Sequence, residues 1–343
     1  MQSGETSKVR NTAISDGRPF ASDFRPRRGL RGGHRQTLAG NFLPRENHLP
    51  KPEDRLFNVE PEVQILCHCH WQEDRQSCTT LIIVHGLEGS SDSQYVIGTG
   101  NKAWAAGMNV VRLNMRNCGD TEELTPTLYN SSMSSDVGGV VKTLIEGDRL
   151  LAIALAGFSM GGNLVLKLAG EWGEDAPPEV KAVTAISPAI DLGISATALH
   201  DPQNRIYEYK FLYGLHRRMT RKAKLFPDRY QPYPLFSIRT LRDFDDQITS
   251  RHGGFNGADD YYYRAASARV IDRIAVPTLI VHALDDPFIR LSDETRLKIL
   301  ANYRIRYIET DHGGHCSFLA DPVGYDGRWA ERQIVEFTKE FAV

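Results

Sequence analysis

The pentapeptide Gly157-Phe158-Ser159-Met160-Gly161 constrains this chain more than any other feature. It directly follows an apolar run at residues 150–156 and directly precedes a helix-compatible stretch that begins Gly162-Asn163-Leu164. A serine flanked by glycines at such a junction reads as a nucleophile elbow, a sharp turn from strand into helix. That turn forces the central residue into a strained backbone conformation, and side chains two positions to either side would collide with neighbouring elements. The helix that starts there directs the positive end of its dipole toward the serine, where developing negative charge is stabilised. G-x-S-x-G by itself arises by chance in a glycine-rich chain; its placement between a buried strand and a helix does not.

The remainder of the pattern supports that context. Short β-rich runs at residues 63–71, 81–84, 109–113, 150–156, 181–187, 278–283 and 304–308 alternate with helix-compatible segments near 93–106, 132–146, 160–172, 293–301 and 325–341. Such alternation implies a mostly parallel sheet covered by helices on both faces, an α/β fold. The alternation breaks once, over about 90 residues between 187 and 277 that are rich in aromatics and charge. A crossover that long reads as a cap over the carboxyl ends of the strands, where ligands bind in open α/β sheets. The expected organisation is therefore an N-terminal extension at 1–23 and one domain at 24–343, with a helical cap inserted at about 190–275. A length of 343 residues accommodates both.

Composition narrows the partners. Forty-one basic against 43 acidic side chains give a net charge of −2, which offers no global reason to expect nucleic acid. The longest apolar run falls well short of the roughly 20 residues of a membrane-spanning helix. The first 25 residues carry Glu5, Asp16 and Asp23 and no apolar block, so no secretory signal is expected. Five cysteines are too few and too scattered for a disulfide framework, and a reducing, cytoplasmic setting is expected. Two basic clusters hide in the neutral total. One comprises Arg25, Arg27, Arg28, Arg31 and Arg35; the other lies in the cap, at Arg205, Lys210, Arg217, Arg218, Arg221, Lys222, Lys224 and Arg229. Leu212, Leu215 and Met219 share one helical face within the second. That pattern reads as a lid helix with a wet basic side and an apolar side toward a pocket, with membrane-surface or anionic-substrate contact as the alternative. Tyr207, Tyr209, Phe211, Tyr213 and Tyr261, Tyr262 and Tyr263 either line an acyl site or pack the cap's own core.

A serine hydroxyl is a weak nucleophile until a base takes its proton, and the base needs an orienting carboxylate. With the chain order serine, acid, histidine, the base is expected at His315 in Asp311-His312-Gly313-Gly314-His315, with His312 supporting the loop. The acid falls in Asp285-Asp286 after the run at 278–283. Its offset favours Asp286, leaving Asp285 to cap or brace the turn. Two backbone N–H donors must hold the oxyanion. Met160 supplies one, and Leu87 in His85-Gly86-Leu87-Glu88-Gly89 is the candidate for the other, with His85 bracing that loop. The cluster Cys67-His68-Cys69-His70 invites a metal reading, but alternate residues of a strand point to opposite faces, so four ligands cannot converge and no metal is expected.

These residues resemble the YheT-like branch of the α/β-hydrolase superfamily, which also contains the embryogenesis-associated and ABHD-type hydrolases. The resemblance runs from Phe24-Arg25-Pro26, Leu30, His34 and Gln36-Thr37-Leu38 through His85-Gly86-Leu87-Glu88-Gly89, Asn114-Met115-Arg116-Asn117-Cys118-Gly119 and the serine motif. It continues over Phe244-Asp245-Asp246, Gly254-Phe255, Asp260-Tyr261-Tyr262, Asp285-Asp286-Pro287-Phe288 and Gly313-Gly314-His315. It implies an α/β-hydrolase fold and a serine carboxylic-ester hydrolase without metal or organic cofactor, acting on small to medium acyl esters or lipid-like esters. It places the triad on Ser159, Asp286 and His315. A lipase or phospholipase, a thioesterase or an acyltransferase would share the same acyl-serine, and a binding protein that has lost turnover is the alternative of another class. No role for His34 or Gln36 follows from the sequence.

Overall fold

The computed structural model describes residues 18–20, 22–230 and 237–342. Its centre is an eight-stranded sheet in the order β1-β2-β4-β3-β5-β6-β7-β8. The strands are β1 Glu53–Glu60, β2 Val63–His70, β3 Thr80–Val84, β4 Asn109–Leu113, β5 Ile153–Phe158, β6 Val180–Ile186, β7 Thr278–Ala283 and β8 Ile305–Thr310. β2 pairs antiparallel with β1 and β4, and every other pairing is parallel. The parallel strands β3 to β7 are almost wholly buried. That is why they read as unbroken apolar runs rather than alternating ones. β1 is the strand missing from the sequence reading. Its edge position leaves charged residues exposed and only Phe57 buried, so it carries almost no apolar signal.

Helices α1 Gly33–Phe42, α2 Gln94–Ala105, α3 Ser134–Glu146 and α4 Met160–Trp172 precede β6. Between β6 and β7 the described chain is helical: α5 Leu192–Leu199, α6 Arg205–Leu225, α7 Leu241–Phe244, α8 Ser250–Gly253 and α9 Ala258–Ala265, with a π-helical turn, Asp245–Thr249, joining α7 to α8. α10 Asp293–Ala301 and α11 Trp329–Phe341 complete the set. Two apolar clusters, one on each side of the sheet, form the core. One joins β2 and β4 to α3 and α4 and runs on to Leu212, Leu215 and Met219 of α6, and the other packs against α2 and α11.

Within the expected N-terminal extension, residues 1–17 and 21 lie outside the described residues, but Phe20 and Asp23, like Phe24 just beyond it, are anchored to the domain. The Phe20 amide donates to the Tyr307 carbonyl at 2.7 Å, extending the β8 edge. Asp23 accepts from Trp329 Nε1 at 2.6 Å and from Arg332 at 3.1 Å. Phe24 packs on Phe318 and Trp329. A polar stretch is thus ordered by single long-range partners that leave no periodicity in the sequence.

In β2, Cys67 and Cys69 face the core, while His68 contacts Asp54 and His70 accepts from Arg112 at 3.2 Å. The two residue types leave opposite faces of the strand, as the period of two requires.

Candidate active site

β5 ends at Phe158 and α4 begins at Met160, so Ser159 alone makes the turn, with φ 54° and ψ −117°. That strained conformation is over-determined by its surroundings. A Cβ at Gly157 would lie 2.2 Å from the Gly161 carbonyl oxygen, and one at Gly161 would lie 2.4 Å from the carbonyl oxygens of both Val84 and His85. The Ser159 amide donates to the Ile186 carbonyl at 2.9 Å, and its carbonyl accepts from Asn163 and Ala189.

The other expected residues stand at the carboxyl ends of neighbouring strands. Asp286 follows β7 and is fully buried. Its Oδ2 lies 2.9 Å from His315 Nδ1, and its Oδ1 accepts from the amides of Phe288 and Ile289. The two acids and two histidines sort into separate pairs: Asp285 contacts His312 Nδ1 at 3.1 Å and accepts from the Gly314 amide at 2.9 Å. Asp285 and His312 hold the loop, and Asp286 and His315 face each other.

Burial disfavours the His315 imidazolium, but the neighbouring Cys316 sulfur and the Asp286 carboxylate outweigh it and raise the ring above the ordinary histidine range. Asp286 shows the converse: burial opposes its charge, while His315 holds the carboxyl below the usual range.

Ser159 and His315 are not hydrogen-bonded to each other in this structure. His315 Nε2 lies 3.7 Å from Cys316 Sγ, and that sulfur lies 3.7 Å from the same Ile186 carbonyl to which the Ser159 amide donates. Phe288 links the two further, its ring tilted against His315 at 4.4 Å between centroids while it lines a cavity with Ser159.

The two expected donors are the free ones. The amides on either side of Leu87 are occupied, Gly86 N–H by the Tyr95 hydroxyl at 2.9 Å and Glu88 N–H by the Tyr129 hydroxyl at 3.3 Å. The N–H groups of Leu87 and Met160 have no acceptor among the described residues, and both residues line the cavity. His85 is a brace. Its Nδ1 lies 2.8 Å from the Gly86 carbonyl, its Nε2 accepts from the Met115 amide at 3.1 Å, and burial pushes its pKa down to about 4. Tyr95 and Tyr129, which hold this loop, carried no signal in the sequence beyond their types.

The helix α1 supplies what sequence reasoning left without a role. Gln36, fully buried, donates to the Leu30 and Leu319 carbonyls and accepts from the Leu319 amide at 2.7 Å. Thr37 Oγ1 accepts from the His315 amide at 2.8 Å. Gly314 has φ 58°, and a Cβ there would meet the Gly33 carbonyl oxygen at 2.5 Å. α1 therefore clamps the loop that carries His315. His34 instead contacts the Tyr207 hydroxyl of α6 at 3.0 Å.

A cavity lies beside Ser159. Leu192, Phe211, Leu215, Met219 and Phe288 make most of its wall apolar, and Tyr261 and Tyr262 join them. Of the other aromatics expected there, Tyr209, Tyr213 and Tyr263 are exposed. One buried carboxyl interrupts the wall. Asp245, on the π-helical turn, accepts from the Thr249 and Tyr262 hydroxyls at 2.8 Å, and burial pushes its pKa up to about 6.

The basic run of α6 is only partly a wet face. Arg218, partly buried, pairs with Glu88 and Glu122, Arg221 pairs with Asp120 and Glu122, and Lys222 donates to the Glu122 and Thr125 carbonyls. These cations fasten α6 to the loops beneath it.

A family model described as the alpha/beta hydrolase fold matches residues 79–322. The chain belongs to the α/β-hydrolase family. It is 29% identical over 327 residues to YheT of Escherichia coli (strain K12), a protein with a provisional esterase name, covering 94% of this chain and 95% of that one. It is 28% identical over 270 residues to a monoacylglycerol lipase of Saccharomyces cerevisiae, covering 76% of this chain and 59% of the lipase. The embryogenesis-associated protein EMB8 of Picea glauca is 26% identical over 75% of this chain and 57% of its own. Among solved structures, the Pyrococcus furiosus esterase Pf2001 superposes with a TM-score of 0.55 at 15% identity, covering 85% of this chain and 94% of that one. That last likeness concerns the fold alone.

The packing at the elbow makes a direct prediction. Gly161→Ala places a methyl against two backbone carbonyls that cannot both retreat, so urea or thermal denaturation should show a loss of about 3 kcal/mol or failure to fold. A variant as stable as the parent would refute this account of the turn.

Proposed function

We propose that this α/β hydrolase is a serine carboxylic-ester hydrolase acting on short- to medium-chain acyl esters. The observation that carries the reading is the set of groups around one apolar cavity: the strained Ser159, the His315–Asp286 pair, and two unengaged amides at Leu87 and Met160. In this reading the Ser159 hydroxyl attacks the ester carbonyl carbon as His315 Nε2 takes its proton. Asp286 fixes the ring by accepting from Nδ1 and stabilises the imidazolium. The carbonyl oxygen, now negative, is held by the Leu87 and Met160 N–H groups. His315 returns the proton to the departing alcohol, leaving an acyl-serine. A water molecule then repeats the sequence, with His315 as base, and releases the acid. The serine–histidine contact of such sites tightens when substrate is held, consistent with its absence here. The apolar cavity wall is the natural seat of the acyl chain.

Four experiments test this. Ser159→Ala should lower hydrolysis of p-nitrophenyl butyrate by about 10⁶-fold and abolish labelling by a fluorophosphonate probe; unchanged turnover would refute the assignment. The base must be neutral to accept the serine proton, so kcat/KM should fall as pH drops through the His315 pKa. Because that pKa is raised, the acid limb should lie above the ordinary histidine value of about 6.5. Asp286→Asn should move the limb downward and reduce kcat by about 10⁴-fold. Thr37→Val removes the acceptor of the His315 amide and should cut kcat roughly tenfold with KM nearly unchanged; an unaffected kcat would deny α1 its positioning role.

A further inference from the structure

Helices α1 and α6 lie side by side on the outside of the molecule. Lys210 Nζ of α6 donates to Asn41 Oδ1 of α1 at 3.1 Å, and the His34 and Tyr207 rings stack 5.7 Å apart. Each helix uses one side for the site. The inner side of α1 holds the His315 loop through Gln36 and Thr37, and the inner side of α6 lines the cavity with Phe211 and Leu215.

The outer sides are unlike an ordinary wet helix face. On α6, Ile206, Tyr209 and Tyr213 share one stripe at helical spacing and are 65%, 75% and 65% exposed. On α1, Leu38 and Phe42 are 39% and 74% exposed. Cations accompany them. Lys210, Arg217 and Lys224 continue the α6 stripe, and Arg35 sits one turn from Leu38. All four are exposed, and none pairs with a described carboxylate, whereas Arg218 and Arg221 on the adjoining side are fully engaged.

We propose that this two-helix face docks on an anionic phospholipid bilayer. Aromatic and aliphatic side chains flanked by unpaired Lys and Arg are the composition that settles at a lipid headgroup boundary, apolar groups inserted and cations on the phosphates. A second copy of the chain fits poorly, because a twofold interface would set the same four cations of each copy against those of the other. The binding itself does not depend on the ester-hydrolase reading, so the two can fail separately.

The test uses the full chain carrying Ser159→Ala, so that no lipid is consumed, and sedimentation with large unilamellar vesicles. Binding to phosphatidylglycerol/phosphatidylcholine vesicles at low salt should exceed binding to phosphatidylcholine alone by tenfold or more and weaken as salt rises. Phe42→Asp with Tyr209→Asp should reduce binding at least tenfold. Arg35→Glu with Lys210→Glu should do the same, since one basic residue at an anionic surface is worth about fivefold. Both double variants should keep the parental far-UV circular dichroism spectrum and melting temperature, showing that they fold. No preference for anionic vesicles, or retained binding by either double variant, would overturn the proposal. So would a dimer in solution that the same substitutions dissociate while vesicles are ignored.

Discussion

The approach of α4 to the end of β3 is the constraint on which the rest of the site depends. Gly161 brings its backbone so near the Val84 and His85 carbonyls that no side chain fits between them. This contact seats the start of α4 beside the loop after β3. Ser159, the Met160 amide and the Leu87 amide thereby come to one place, and the strain at Ser159 is sustained by backbone packing on both sides. Everything further out serves to keep that junction supplied with its partners.

Those partners are held by polar contacts from distant parts of the chain. Tyr95 and Tyr129 occupy the amides flanking Leu87 and so leave one donor free. Glu88 ties the same loop to Arg218 of α6. Gln36 and Thr37 hold the loop of His315 from the other end of the sequence. Each such bond satisfies a polar group that would be costly to bury alone, so together they specify loop positions more sharply than apolar packing could.

Much of this was legible beforehand. The buried strands announce themselves as apolar runs, and the helices after β5 and β7 were found at their observed bounds. Chain order and offsets from strands group Ser159, Asp286 and His315, and the structure sets Asp286 against His315 and Asp285 against His312. What escaped was whatever lacks periodicity. β1 is an exposed edge, Phe20, Asp23 and Phe24 are held by isolated contacts, and Asp245 sits on a π-helical turn that no spacing rule marks. The basic run of α6 was read as one face although its cations divide between buried pairs and open solvent. Charge counts along a helix do not reveal which acids lie beneath it.

The chain's local chemistry therefore determined the fold class and which groups are candidates for the site, because hydrophobic periodicity and a glycine-bracketed serine are properties of neighbouring residues. The tertiary structure alone decided how those groups are held. It is only there that α1, more than 270 residues from His315 in the chain, meets its loop, that Leu87 rather than its neighbours keeps a free N–H, and that the apolar and cationic residues of α1 and α6 form one continuous face. Long-range contact depends on how the sheet orders its strands, and no window of sequence contains that order.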